Sequence, residues 1–168
     1  MRVTVEQASV SDAPLLENLL NLYLYDFSEV HGTAPESDGR FRYPRLPLYF
    51  SEANRTPLII WADGAPAGFA LVSRGSLISG APDVWDLSEF FVVRGLRRRG
   101  IGRDAASAVF GQFDGDWEVR VLEQNAGAYA FWPHAIRHHT GDAFEVSPWK
   151  TDAGNWTVFR FGSDKRAA

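Results

Sequence analysis

The segment RGLRRRGIGRD, residues 94–104, separates a strong strand pattern from a helical pattern. Ahead of it, residues 85–93 form a hydrophobic run rich in aromatic and β-branched residues, which is typical of a strand. After it, Ile101, Ala105 and Val109 follow the spacing of one buried helix face. A strand that leads into a helix through a glycine-rich turn belongs to sheets flanked by helices. The segment therefore favours an α/β or α+β fold.

The rest of the chain adds further strand and helix patterns. The predicted strands cover residues 3–8, 57–62, 67–73, 117–124, 143–148 and 155–161. Predicted helices begin at Ser11 and Asn125, and the first is expected to end near residues 25–27. The stretch 29–47 has no clear period, and its length makes it a candidate binding loop. We therefore expect a single domain over residues 1–168, with a mixed sheet of about six to seven strands flanked by helices.

Composition excludes several classes of protein. The chain has 17 basic and 21 acidic residues and a net charge of -4, which argues against a nucleic-acid partner. It has no cysteine, so disulfides and thiolate metal sites are ruled out. The first residues lack an apolar leader, and no run approaches the ~20 apolar residues that span a bilayer. These features predict a cytoplasmic protein that does not enter a membrane.

The arginine–glycine segment has four interpretations. A solvated charged loop and a nucleic-acid surface both explain arginines, but neither requires glycines at a helix start. A dinucleotide turn matches Gly100-x-Gly102-x-x-Ala105, although six residues separate Val93 from Gly100 where that fold prefers an immediate turn. A pyrophosphate cradle explains glycine, arginine and helix start together, because unpaired N–H groups and the helix dipole attract phosphate there. We favour the cradle.

With its preceding strand, Arg97-x-x-Gly100-x-Gly102 resembles motif A of the GNAT superfamily of N-acetyltransferases. A second stretch, NAGAYAFW at residues 125–132, resembles that family's Asn-x-x-Ala-x-x-Phe/Leu-Tyr signature. The order of the predicted elements also suits the family's fold. The resemblance implies an acyl-CoA-dependent N-acyltransferase that moves acetyl from acetyl-CoA to a primary amine.

The resemblance also implies a set of cofactor contacts. Backbone groups of Phe91 and Val93 would pair with the pantetheine arm of acetyl-CoA, and Asn125 would contact the pantetheine or phosphate side. The pyrophosphate would lie on backbone amides of the turn and helix start, namely Arg98, Arg99, Gly100, Ile101, Gly102 and Arg103.

The transfer needs a group that takes the proton of the amine, and Glu89 is the first candidate for this base. On a regular strand it shares a face with Phe91, whereas Asp86, the alternative acid, lies on the opposite face. A surface glutamate or an arginine partner is the other interpretation of Glu89. Trp132 stands where the family usually has a tyrosine as general acid, and an indole is not a useful proton source. Tyr129, one helical turn earlier, is the candidate substitute, although it can equally be a packing residue.

The resemblance implies that the first helix and the loop after it shape the acceptor pocket, and the aromatic and acidic character of Tyr23, Tyr25 and Asp26 suits a cationic amine. Ordinary core tyrosines at a polar helix end are the other interpretation. The histidines at 134, 138 and 139 lack further ligands, so no metal is expected. The terminal strands offer an edge that can pair in a homodimer. Two other functions stay open, a non-catalytic acyl-CoA sensor and a nucleic-acid module that uses the arginines. The acceptor could be a small molecule or a peptide.

Overall fold

Seven strands form one sheet within residues 1–163, the part of the chain that the computed structural model describes. Their order across the sheet is β1-β2-β3-β4-β5-β7-β6. The strands are β1 Val3–Gln7, β2 Arg55–Ala62, β3 Ala65–Arg74, β4 Trp85–Val92, β5 Gly115–Leu122, β6 Glu145–Thr151 and β7 Gly154–Ser163. The helices are α1 Ala13–His31, α2 Leu48–Ser51, α3 Ile101–Phe110 and α4 Ala126–Thr140. Among these strands only the β4–β5 pair is parallel.

The helices cover the two faces of the sheet with separate hydrophobic clusters. Helix α1 buries Leu16, Leu19 and Leu20 in a cluster that includes Phe69 of β3 and Phe91 of β4. The opposite face packs against α3 and α4, and the buried members of that cluster include Phe110, Trp117, Trp132, Ile136 and Phe159. Successive residues of β3 alternate between these clusters, as the pleat of a strand requires.

The predicted mixed sheet flanked by helices is confirmed, and the boundaries of the elements differ in detail. Helix α1 runs to His31, past its expected end, because the stop signal is Gly32, which adopts φ 64° at the C-cap. The β2–β3 hairpin turns at Asp63 and Gly64, both with positive φ, as the sequence indicates. Within residues 1–163, no helix is long and apolar enough to cross a membrane.

Candidate active-site cleft

A cleft opens in the sheet where strands β4 and β5 separate. In the described residues these parallel strands pair only at Trp85–Trp117 and Asp86–Glu118, near their amino-terminal ends. Beyond that point the space between them is part of a cavity of about 500 Å³. Its walls come from both strands, from α1 and α4, and from the loop before α2. The separation leaves one side of β4 open to a ligand.

Strand β4 carries a bulge at Ser88, which corrects one prediction from the sequence. Leu71 of β3 pairs with Glu89, but its neighbour Val72 pairs with Leu87, so Ser88 is an extra residue. Asp86 pairs with Ser73, which lies on the same face of β3 as Leu71. The expected placement of Asp86 on the opposite face from Glu89 is therefore wrong, because the bulge reverses the alternation.

Asp86 is fully buried at the base of the cleft and is held by three donors. The guanidinium of Arg120 donates two hydrogen bonds to it, of 2.9 and 3.0 Å, from Nε and Nη2. The hydroxyl of Ser88 donates a third, of 2.7 Å. The burial of Asp86 and the bidentate geometry of this pair are typical of a structural ion pair.

Glu89 lies in the cleft and accepts hydrogen bonds from two tyrosines. The Tyr23 hydroxyl of α1 donates to Oε2 at 2.5 Å, and the Tyr43 hydroxyl, from the loop before α2, donates to Oε1 at 3.1 Å. Glu89 is half-buried, and its accessible part faces the cleft. Burial raises the pKa of the Glu89 carboxyl, and the tyrosine hydrogen bonds offset only part of that rise.

The two tyrosines keep their protons at neutral pH. Burial is the largest cause, and the negative charge of Glu89 adds to it, so the pKa of Tyr23 lies well above its ordinary value. The same two causes, in the same order, raise the pKa of Tyr43. Both hydroxyls therefore act as fixed donors, and Glu89 is left with free lone pairs that can accept a proton from a ligand.

The arginine–glycine turn leaves the end of β4 and starts α3 with two left-handed residues. Arg98 has φ 62° and Gly100, the N-cap of α3, has φ 83°. Gly102 lies against α4, and a Cβ there would stand 3.2 Å from the ring of Phe131. Ile101 is buried in the core, so only its backbone faces outward, while the side chains of Arg98, Arg99 and Arg103 are exposed. The turn thus presents helix N–H groups with arginines around them.

The backbone at the end of β4 differs from the expected pattern of cofactor contacts. The N–H of Val93 donates to the carbonyl of Ala67 on β3 at 2.8 Å. In an antiparallel pair every second residue points the same way, so the polar groups of Phe91 also face β3. Those of Phe90 and Val92 face the cleft instead, and the Val92 carbonyl accepts a 2.8 Å bond from Arg97 Nε.

Near the end of α1, Asp26 binds arginines of the turn, and only some of the residues there line the cleft. Asp26 pairs with Arg94 at 2.9 Å and with Arg97 at 2.5 Å, and Arg97 also lies over the ring of Phe91. Tyr25 is exposed, with its ring against Phe41. Neither Tyr25 nor Asp26 lines the cavity, whereas Tyr23 does.

Helix α4 contributes Asn125 and Trp132 to the cleft. The Asn125 side chain caps α4 by accepting from the Ala128 N–H at 3.1 Å. Trp132 is buried and packs against Phe90. Tyr129 is 48% exposed and is not a wall residue of the cleft, so α4 does not bring it to Glu89.

Sequence reasoning did not single out Tyr43, Arg45 or Arg120 as site residues. The loop of Tyr43 and Arg45 drew attention by its length alone, since nothing in YPRLP says which side chain turns inward. Arg120, an arginine between valines of a buried strand, did carry a sequence signal, because a buried charge needs a partner.

Of the histidines that the sequence offered as metal ligands, His139 lies between the hydroxyls of Ser107 and Ser163, at 3.0 and 2.8 Å.

Comparison with known proteins gives one family. The acetyltransferase (GNAT) family matches residues 16–135 of the chain. Sequence comparison with curated proteins gives no match.

Three solved structures illustrate the likeness in fold. An acetyltransferase from Thermus thermophilus superposes with a TM-score of 0.72 at 18% identity, over 96% of this chain and 97% of that one. Aminoglycoside acetyltransferase AAC(6')-Ib, solved with coenzyme A and kanamycin, gives 0.71 at 17% identity, over 96% and 95%. The ribosomal-protein-S18-alanine N-acetyltransferase from Escherichia coli gives 0.60 at 13%, over 99% and 97%. At these identities the likeness establishes the fold.

Proposed function

This chain belongs to the acetyltransferase (GNAT) family, and we propose that it transfers an acetyl group from acetyl-CoA to a primary amine. The observation that carries the proposal is Glu89, a carboxylate held by Tyr23 and Tyr43 inside the cleft that β4 and β5 leave open. A base in that position can receive a proton from an amine that enters the cleft. At the end of the same strand, the turn from β4 into α3 supplies a helix start of the kind that binds anions.

The residues of the turn fit a pyrophosphate. Gly100 and Arg98 have the left-handed backbone that turns successive N–H groups toward one point. A Cβ at Gly102 would crowd the ring of Phe131 at 3.2 Å, so a glycine lets this part of the helix start pack closely on α4. We assign the pyrophosphate of acetyl-CoA to the N–H groups between Arg98 and Arg103, with the exposed arginines around it. The pantetheine arm is assigned to the backbone of Phe90 and to the N–H of Val92, next to the expected Phe91 and Val93, because these groups face away from β3 and the Val92 carbonyl is bonded by Arg97. Asn125, at the start of α4, also lines the cleft.

In the proposed reaction, Glu89 takes one proton from the alkylammonium form of the acceptor. The neutral amine then attacks the thioester carbonyl, so that a C–N bond forms and the C–S bond breaks. Glu89 suits this task because burial raises its pKa, which makes it a stronger base than a surface glutamate.

The departing thiolate also needs a proton. Once protonated, Glu89 can return its proton through the hydroxyl of Tyr43 or Tyr23, while the second proton of the amine goes to water. We prefer this network to Tyr129 because its three groups lie in the cleft and Tyr129 is exposed outside it. Trp132 then serves as a wall of the cleft rather than as an acid.

Release of the coenzyme A thiol tests the proposal directly. The protein has no cysteine, so a thiol reagent detects only coenzyme A. We expect thiol release that requires acetyl-CoA, protein and a primary amine together. Tight binding of acetyl-CoA without turnover on any amine of a broad panel would overturn the enzymatic proposal. It would favour a non-catalytic acyl-CoA sensor, the alternative that Trp132 suggests.

A further inference from the structure

The charged side chains around the cleft are mostly positive. Among its aspartate, glutamate, lysine and arginine residues, the cleft wall has one glutamate and four arginines: Glu89, Arg45, Arg55, Arg74 and Arg120. Three of the arginines are neutralised by carboxylates outside the wall, in the pairs Arg55–Glu52, Arg74–Asp83 and Arg120–Asp86. The fourth, Arg45, is the one that matters for a ligand.

Arg45 has no carboxylate partner within residues 1–163. Its side chain is exposed, and it belongs to the cleft wall. A guanidinium placed in this way keeps all its donors for an anion. Among the Asp, Glu, Lys and Arg residues of the described cleft wall, one arginine and one carboxylate thus have no oppositely charged partner.

The position of Arg45 relative to Glu89 is fixed by the loop. Tyr43, which donates to Glu89, stands two residues before Arg45, so their Cα atoms lie within roughly 7 Å. The carbonyls of Tyr43 and Arg45 accept backbone bonds from Leu46 and Leu48, at 3.2 and 3.1 Å, which make an ordered turn. The backbone of Arg45 is therefore held close to Tyr43, the residue that donates to Glu89.

The wall near Tyr23 and Tyr43 is aromatic and, within residues 1–163, carries no second carboxylate. Phe27 and Tyr49 belong to it with these tyrosines. Among the described wall residues, a polycationic acceptor would find only Glu89 to balance its charges, and Arg45 would repel the remaining ammonium groups. A ligand with a ring or hydrocarbon between one amine and one anionic group matches an aromatic wall that carries the carboxylate of Glu89 and the guanidinium of Arg45.

We propose that the acceptor is a primary amine that also carries an anionic group, a carboxylate or a phosphate, which Arg45 binds while the amine lies at Glu89. The inference rests on the proposed function for the meaning of the amine. The preference for an anionic group nevertheless concerns the affinity for the acceptor, which can be measured without turnover.

Three rigid ligands of one size test the charge requirement. Benzylamine carries the amine alone, 4-(aminomethyl)benzoate adds a carboxylate on the far side of the ring, and p-xylylenediamine adds a second ammonium there. A fourth, 4-(aminomethyl)phenylphosphonate, compares a phosphate-like anion with the carboxylate. Affinities are measured by calorimetry with the wild-type protein in the presence of coenzyme A.

We expect one of the two anionic ligands to bind about tenfold more tightly than benzylamine, since a charge-assisted hydrogen bond contributes about 1.5 kcal/mol. The diamine should bind more weakly than benzylamine. The variant Arg45→Gln should remove the advantage of the anion. Arg42→Gln should keep it, because Arg42 is an exposed loop arginine paired with Glu36 and Asp38, away from the cleft wall.

Three results would overturn the inference: equal affinities for all four ligands, a preference for the diamine, or an advantage of the anion that survives Arg45→Gln. Lack of measurable binding by any of the ligands would overturn it as well. Thiol release with benzylamine as readily as with the anionic ligands would uphold the proposed function and reject the charge requirement. Tighter binding of an anionic ligand without thiol release would uphold the charge requirement and reject the proposed function.

Discussion

Glu89 depends on two tyrosines that come from distant parts of the chain. Tyr23 lies on α1 and Tyr43 in the following loop, and each donates to a different oxygen of the carboxylate. Their hydrogen bonds favour the charged form of Glu89, whereas burial favours the neutral form and has the larger effect. A base acts only when ionised, so the raised pKa places the acidic limb of activity above the ordinary glutamate range.

The first prediction concerns this balance. Tyr43→Phe removes a hydrogen bond that stabilises the carboxylate, so the pKa of Glu89 rises further. The acidic limb of kcat/KM should move to higher pH by about one unit, because such a bond contributes about 1.5 kcal/mol and one unit is 1.36 kcal/mol. A pH profile with one fixed amine measures the shift. Tyr25→Phe, which alters an exposed tyrosine outside the cleft, should leave the limb in place. If the acidic limb of kcat/KM lies at the same pH in Tyr43→Phe as in the wild type, Glu89 is not the base.

At this scale the sequence predicts which residue types are available but not which of them meet. Glu89 could be selected because it lies on a strong strand just before the glycine-rich turn. Its partner Tyr43 could not, because the contact spans 46 residues and a loop without period. The sequence also did not predict that Asp86 and Glu89 lie on the same face of β4, because a bulge such as that at Ser88 leaves no clear mark in an alternating pattern.

Among the elements, the turn between β4 and α3 follows most directly from its sequence. Its glycines stand where the backbone needs them: Gly100 has a positive φ, and Gly102 packs against Phe131. The motif therefore predicted both the helix start and the place where a phosphate could lie. Its role in binding acetyl-CoA stays a prediction, which two variants address.

Gly102→Val should weaken acetyl-CoA binding at least about tenfold, or 1.4 kcal/mol. A Cβ at residue 102 would stand 3.2 Å from the ring of Phe131, so a valine there must displace either that ring or the start of α3. Gly95→Val is the matched control, because Gly95 lies in the same turn with open space around it and an ordinary backbone. Calorimetry gives the affinities, and thermal unfolding checks that both variants remain folded. Equal affinities in the two variants would contradict the cradle.

The link between α1 and this turn gives a second prediction for the elements. Asp26 holds Arg94 and Arg97, so Asp26→Asn should loosen the turn and raise the KM for acetyl-CoA by about fivefold, the effect of about 1 kcal/mol. The KM for the amine should change little if Asp26 does not touch the acceptor. A rise in the KM for the amine alone would contradict this prediction and would mean that Asp26 contacts the acceptor. Asp38→Asn, in an exposed ion pair of the loop, is the control.

Over the whole molecule, the main departure from a regular sheet is the separation of β4 and β5. The order of the predicted elements indicated a mixed sheet flanked by helices, and that prediction is confirmed. Strand order and the point of separation are set by contacts distant in sequence, such as the pair of Asp86 with Arg120. This pair lies beside the last parallel rung, Asp86–Glu118, and closes the base of the cleft.

Asp86→Ala should therefore lower the free energy of unfolding by about 3–5 kcal/mol, because it leaves Arg120 charged and unpaired in a buried site. Urea unfolding measures the change. Glu52→Ala removes the carboxylate of a more exposed pair with Arg55 and should cost about 1 kcal/mol or less. Similar losses in the two variants would mean that the Asp86 pair does not hold the sheet together at the cleft.

The central claim is that the cleft transfers acetyl groups with Glu89 as its base. Its most direct test is amine-dependent thiol release by Glu89→Gln at saturating acetyl-CoA, measured beside its affinity for acetyl-CoA. We predict a rate about 10²- to 10³-fold below wild type, in the usual range for loss of a general base, with the affinity unchanged. A Glu89→Gln protein that releases thiol at the wild-type rate would contradict the account.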